Sequence, residues 1–350
     1  MLTNARYLTE RGRIRRRALP AGDAVADGGQ SGRGMVSARG YAALFGGRRF
    51  VGDCRTEQFS RIRARALRRS SGTGSTPVRN SEHWALATHP MNESTDTQHA
   101  VNREAANPGH SPYLQFGRTL KRVLAHPVGL VQTALGGSPL TRWNPGESGA
   151  ADLFDNMVQC VDKVGGKVQG IVWYQGESDA GTDADATSYA QRFQQAVAAW
   201  WEALADAELP VLTVQLNRVY QPADPDADRR WSQVREAQRQ VARQVPRVGV
   251  VPALDLPLAD LIHTSPAGNM LLGERLAQAA LGLVYGQAVA WQAPDLAAAR
   301  RREDRVELVL ERPLQGSAKV HGGYGKCPAT VPADMERFLP MLGFGGVEIV

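Results

Sequence analysis

Apolar positions in the middle of this chain recur with two alternating periods. Residues 113–125 place Leu114, Gly117, Leu120, Val123 and Leu124 at helical spacing, with Ser111-Pro112 as N-cap and first turn. Residues 127–135 read as a strand that leads into Gly136-Gly137. A helix follows over 151–165, with Leu153, Met157, Val158 and Val161 on one face, and then a strand over 168–174. A long helix over 188–205 turns Phe193, Val197, Trp200, Trp201 and Leu204 inward. The series continues as strand 209–216, helix 228–245, strand 248–254 and helix 269–283. Alternation of strand and helix over this length predicts a three-layer α/β/α domain, a parallel sheet with helices on both faces.

Outside that region the pattern changes. After Gly286, residues 305–310 and 346–350 alternate with period two, which predicts the start of a small C-terminal β-domain over 287–350. Before residue 76 the pattern fails altogether: residues 35–75 are rich in arginine and glycine and show no sustained helical or strand period. Such composition suits a disordered insertion. It suits better a stretch of GC-rich gene read out of frame, which would also account for the lack of a buried apolar run over residues 22–28, where Asp23 and Asp27 interrupt it. The expected organisation is an aberrant N-terminal segment over 1–80, the α/β domain over 81–286 (formally from residue 20), and the partial β-domain.

Charge changes this picture little. Of the net +6, residues 1–80 carry +12 through seventeen arginines and five acids, which leaves the remainder at −6. A basic arm can bind nucleic acid, but this one has no helix-turn-helix, zinc ligands or interleaved aromatics, so no nucleic-acid partner is expected. No run of about eighteen apolar residues predicts a membrane span. Residues 1–20 lack the apolar core of a signal peptide, so the chain as written reads as cytoplasmic; a different start would permit export. Cys54, Cys160 and Cys327 are odd in number and scattered, which suits neither a disulfide framework nor a zinc site.

Two segments carry chemistry. Asp260-Leu261-Ile262-His263 lies at the mouth of the helix over 269–283. An acid three residues before a histidine can hold one imidazole nitrogen and leave the other free as a base. The strand over 168–174 runs into Gln175-Gly176-Glu177-Ser178-Asp179, a polar loop where open α/β sheets place their active sites.

These segments, together with Gly129-Leu130-Val131-Gln132-Thr133-Ala134-Leu135-Gly136-Gly137-Ser138-Pro139-Leu140 and Trp143, resemble the SGNH-type esterases, in particular the sialate O-acetylesterase-like carbohydrate esterases. The resemblance spans roughly residues 112–286. It implies an SGNH, flavodoxin-like α/β fold and a Ser-His-Asp esterase that hydrolyses acetyl esters of sugars, of sialate or acetylxylan type, without metal or cofactor. It assigns Ser31, in Gly29-Gln30-Ser31-Gly32, as nucleophile, His263 as base and Asp260 as its orienting acid; the family has asparagine where this chain has Gly32. Gly136, or else Gly137, and Gln175 would form the oxyanion hole. Trp143, Glu177 and His83 would touch the sugar, although Trp143 and Trp173 fit a core role equally well. The altered serine block leaves a second reading open, a catalytically impaired sugar-binding homologue.

Overall fold

The structure is a computed structural model. It describes residues 42–46, 76–78, 84–91, 109–149, 151–222, 224–302, 305–311, 326, 333–334 and 339–344. Ser31 and His83, and the expected strand over 346–350, lie outside the described residues.

Six strands form the central sheet: β1 (Ala42–Gly46), β2 (Thr76–Val78), β3 (Gly129–Gln132), β4 (Gly170–Trp173), β5 (Val211–Val214) and β6 (Val248–Val251), in the order β2-β3-β1-β4-β5-β6. β4, β5 and β6 run parallel, with Ile171 opposite Val211 and Val211 opposite Val248, and β2 runs parallel to β3. β4 and β5 are buried at every position, so both faces of the sheet are covered. The helices are α1 (Tyr113–Leu124), α2 (Asp152–Lys163), α3 (Asp183–Ala203), α4 (Pro225–Gln244) and α5 (Pro266–Leu283). α1 packs on α5 and α3 on α4, while α4 and α5 each lie against β5 and β6. The α/β architecture expected from the alternating periods is the one observed.

β1 departs from that expectation twice. It falls in the stretch where no strand was expected, and it runs antiparallel to both neighbours, with Leu44 opposite Val131 on β3 and Ile171 on β4. The physical reason is the slot it fills. Between β3 and β4 a row of backbone donors and acceptors needs partners, and an unpaired buried peptide group is costly. Ala-Ala-Leu-Phe-Gly is a short run that can supply them in either direction.

The core behind β4 is aromatic. The Trp173 ring meets Trp143 edge-on at 5.2 Å, tilts against Trp200 at 4.7 Å and stacks with Phe193 at 6.2 Å. Cys160, on α2, is buried in the same core.

Beyond α5 the chain forms an antiparallel hairpin, β7 (Leu296–Arg302) with β8 (Arg305–Leu310), and a second short pair, β9 (Ala333–Asp334) with β10 (Leu339–Pro340). Period two over 305–310 therefore did mark a strand. The C-terminal segment is tied to the sheet domain by buried polar groups. Asp295 accepts from Arg239 and Arg243, both at 2.8 Å, and Gln215 exchanges two hydrogen bonds with the Gly343 backbone at 2.8 and 2.9 Å.

Candidate active site

The loops that follow β3, β4 and β5 meet the loop before α5 around a cavity of about 350 Å³. Its wall includes Gly137, Ser138, Tyr174, Gln175, Glu177, Asn217, Arg218 and His263. This is the C-terminal edge of the parallel strands, where an open α/β sheet binds its ligands.

The loop that carries Asp260 and His263 is closed on itself. Ala259 N–H donates to the His263 carbonyl at 2.8 Å, and Ser265 N–H to the Pro257 carbonyl at 2.8 Å. Inside that closure Asp260 Oδ1 accepts from the backbone N–H groups of Ile262 and His263 at 2.9 and 2.7 Å. Its other oxygen meets His263 Nδ1 at 2.6 Å. Partial burial pulls the Asp260 pKa upward, but the hydrogen bonds from the His263 ring and the two backbone donors outweigh it, and the carboxyl ends below its ordinary value. An ionised Asp260 can only accept, so Nδ1 of a neutral His263 carries the proton and Nε2 carries the lone pair. Nε2 is buried and has no hydrogen-bond partner among the described residues. The pair expected from the sequence is thus assembled, with the free nitrogen of a ring that lines the cavity.

Gln175 is placed differently from expectation. It borders the cavity, yet both hydrogens of its amide are engaged: one on the Ser138 carbonyl at 3.2 Å, the other on the Asp179 carboxylate. Its amide oxygen accepts from Tyr189 at 3.0 Å, which fixes the orientation of the amide. The side chain therefore braces the Gly137-Ser138 loop; as it stands it offers no donor to an oxyanion. Asp179 completes the brace, accepting from Leu140 N–H at 3.0 Å and from Arg192 at 2.8 Å. Gly137 rather than Gly136 lies on the cavity wall, and its φ of +68° is a backbone conformation that suits glycine.

Trp143 is a correction. It is 1 % exposed and absent from the cavity wall, its indole N–H donates to Ser138 Oγ at 3.0 Å, and its carbonyl accepts from Trp200. It supports the Ser138 loop from behind and does not line a sugar site. Trp173 is likewise core. Glu177 is on the wall, half-buried, and desolvation pushes its carboxyl up to about 7, with neighbouring Asp179 adding to the rise. Burial also raises the Tyr174 hydroxyl well above its ordinary value, and the negative charge of Glu177 reinforces this.

The sequence reading missed the loop after β5. Asn217 Nδ2 donates to Thr264 Oγ1 at 3.0 Å, and Tyr220 N–H to the Leu261 carbonyl at 2.7 Å, so this loop holds the His263 loop in place. From α4, Trp231 and Arg235 donate to the Asn217 carbonyl at 3.0 and 2.7 Å. The signal available was positional: Asn217-Arg218 follows a buried strand just as Gln175-Gly176-Glu177 does.

A histidine oriented by a carboxylate at this edge of an open α/β sheet is an arrangement that hydrolases use as a general base. The kind of hydrolase follows from comparison with known proteins. The profile for carbohydrate esterases, sialic acid-specific acetylesterases, matches residues 51–282, and the chain belongs to that family of carbohydrate esterases. It is 29% identical over 205 residues to a probable carbohydrate esterase of Arabidopsis thaliana, covering 57% of this chain and 71% of that protein. A solved Arabidopsis thaliana structure shares 27% identity with a TM-score of 0.50, covering 61% of this chain and 82% of the other. A carbohydrate acetylesterase from Xanthomonas citri superposes with a TM-score of 0.59 at 20% identity, covering 81% and 75%, a likeness of fold. The matched span begins downstream of Ser31.

Proposed function

We propose that the protein hydrolyses O-acetyl esters of sugars, of the sialate or acetylxylan type, with His263 as general base. The supporting observation is the state of that ring: Nδ1 held at 2.6 Å by Asp260, and Nε2 unpartnered in the wall of the cavity. A nucleophilic hydroxyl brought to Nε2 loses its proton there as it attacks the acetyl carbonyl, and Asp260 stabilises the imidazolium that forms. The same proton then goes to the departing sugar hydroxyl. Water, deprotonated by the same nitrogen, releases acetate from the acyl-enzyme. Ser31 is our candidate nucleophile, on the strength of Gly29-Gln30-Ser31. The backbone of the Gly137-Ser138 loop is our candidate for oxyanion stabilisation, since Gln175 and Trp143 brace that loop.

Hydrolysis of p-nitrophenyl acetate and of acetylated sugars by the wild type, His263→Ala and Ser31→Ala tests this. Turnover should vanish in both variants while the unfolding temperature stays within a few degrees of wild type. Activity that survives in Ser31→Ala but not in His263→Ala would show that another group, or water itself, takes the place of Ser31. No turnover in the wild type, with binding of deacetylated sugar intact, would establish the impaired sugar-binding homologue instead.

A further inference from the structure

The rim of the cavity beside His263 is apolar, and esterase chemistry alone gives it no use. Seven large apolar side chains stand exposed among the described residues, and three of them, Tyr220, Leu261 and Ile262, come together here. The loop after β5 and the His263 loop build this rim in the same way. Each puts one apolar residue into the cavity wall, Val219 and Ile262, and the neighbouring residue outside it, Tyr220 and Leu261. Tyr220 N–H donates to the Leu261 carbonyl at 2.7 Å, so the two outer residues stand side by side. Both loops are pinned: Val219 N–H donates to the Lys326 carbonyl at 2.8 Å, and Ile262 N–H to Asp260 Oδ1 at 2.9 Å. Trp231, from α4, adds to the apolar part of the wall inside the cavity.

Single exposed apolar side chains are ordinary, but a contiguous set fixed at the mouth of a cavity marks a place where a ligand is covered. What fits there follows from what the rim lacks. Tyr220 and the neighbouring Gln221 can hydrogen-bond at their tips, whereas Leu261 and Ile262 cannot. A second sugar ring laid across the rim would press hydroxyls against side chains that cannot replace water. An aryl or alkyl group loses no hydrogen bond there and gains by leaving water. The pinned loops need little further ordering to receive it.

We propose that Tyr220, Leu261 and Ile262 form a subsite for an apolar aglycone, so that the preferred substrate is an acetylated sugar carrying an aryl or alkyl group rather than a free sugar or an oligosaccharide. The inference rests on the esterase reading only for the acetyl group, which puts the sugar ring in the cavity with its ester at Nε2 and its aglycone leading out over the rim.

The test uses tri-O-acetylated methyl, phenyl and hexyl β-D-xylosides and acetylated xylotetraose, with kcat/KM measured for the full chain, Tyr220→Ser, Leu261→Ser and the double variant. The wild type should favour the phenyl and hexyl xylosides over the methyl xyloside by about fivefold to fiftyfold, as expected for about 40–90 Å² of apolar contact. That ratio should fall in each single variant and approach one in the double variant. Unfolding temperatures should stay within a few degrees of wild type, because both side chains are exposed. A ratio near one in the wild type, or one that the variants leave unchanged, would overturn the proposal. So would a preference for acetylated xylotetraose over the phenyl and hexyl xylosides that Tyr220→Ser removes, since it would assign the rim to a second sugar ring. Calorimetry with the deacetylated xylosides reads the same preference without turnover. Tighter binding of the phenyl and hexyl xylosides than of the methyl xyloside, lost in the double variant, supports the subsite even if hydrolysis fails. Hydrolysis without any such preference rejects the subsite while leaving the esterase standing.

Discussion

A single carboxylate sets the state of His263. Asp260 accepts three hydrogen bonds from within its own loop, one of them from the ring, so it fixes both the loop and the tautomer. Asp260→Asn keeps the shape but presents an amide that can hold the ring in the wrong tautomer, and turnover on an aryl acetate should drop about a thousandfold or more. Unchanged turnover would show that the loop alone orients the ring. Gln175→Ala should act through folding as well as rate. It strips a partner from Asp179, which is 1 % exposed, and from the Ser138 carbonyl, so we expect a loss of about 1–3 kcal/mol in denaturant unfolding. Loss of turnover at unchanged stability would instead restore an oxyanion role to Gln175. Glu177 makes a prediction in pH. Its folded pKa of about 7 exceeds the ordinary 4.5, so the folded state holds its proton between those values and its contribution to stability falls as pH rises through that window. Glu177→Gln should therefore raise the unfolding temperature at pH 8 and change little at pH 5; a lower temperature at pH 8 would reveal a favourable partner for the carboxylate. The raised pKa of Asp179 works in the same direction, so the wild-type slope should shrink without disappearing. At this scale Asp260 and His263 were legible because their contact is local, three residues apart. Trp143 was not, because an indole on a core face and one on a sugar site leave the same mark in a sequence. Arg218 was missed although its place after a buried strand was a signal; Trp231, on a helix, was missed because only the tertiary fold brings it to the cavity.

Between residues 113 and 283 the elements were read correctly in kind, and three helices were displaced at their starts. Helices α3, α4 and α5 begin at Asp183, Pro225 and Pro266, several residues ahead of where the apolar period starts. The reason is capping. Thr182 accepts from Asp185 N–H, Asp224 from Asp226 and Ala227, and Ser265 from Gly268, so polar first turns are stabilised that no apolar stripe reveals. Ser265-Pro266 and Asp224-Pro225 spell the cap followed by proline at the first helical position. A second feature of α5 bears on the site, because this helix follows His263 directly. Gly273 lets α5 approach α1 so closely that an added Cβ would sit 2.4 Å from the Pro112 carbonyl oxygen and 3.0 Å from Phe116 N. Those are backbone atoms and cannot step aside. Gly273→Ala should cost about 1–3 kcal/mol in denaturant unfolding, as overpacking does, and should lower turnover by shifting the loop that α5 anchors. A variant as stable as wild type would mean that α1 and α5 can separate without strain.

At the scale of the whole molecule, composition drew boundaries that packing does not respect. The basic, patternless first eighty residues contribute β2 at the sheet edge and β1 within it, the latter because backbone pairing asks for a strand in the slot between β3 and β4 more than for a particular sequence. The change of period after Gly286 did mark the antiparallel hairpin of β7 and β8, yet that hairpin begins at an anchor of the sheet domain. Asp295 is 6 % exposed and joins Arg239 to Arg243; Gly343 satisfies Gln215, which is wholly buried at the end of β5; and the Lys326 carbonyl accepts from Arg235 at 3.2 Å. Arg235 in turn holds Asn217, which holds the His263 loop through Thr264. A chain ending at Gly286 would thus leave Gln215, Arg235 and Arg239 each short of a buried partner. Each orphaned group costs about 1–3 kcal/mol, and in a domain of this size each kcal/mol lowers Tm by about 2–4 °C. The shortened protein should unfold about 10 °C or more below the full chain, or fail to stay in solution, and lose turnover with it. Asp295→Asn, which keeps the shape and removes the charge, should show a smaller loss in the same direction. A shortened chain with the full Tm and full turnover would mean that residues 287–350 form a separate domain and that the three polar anchors are satisfied by water.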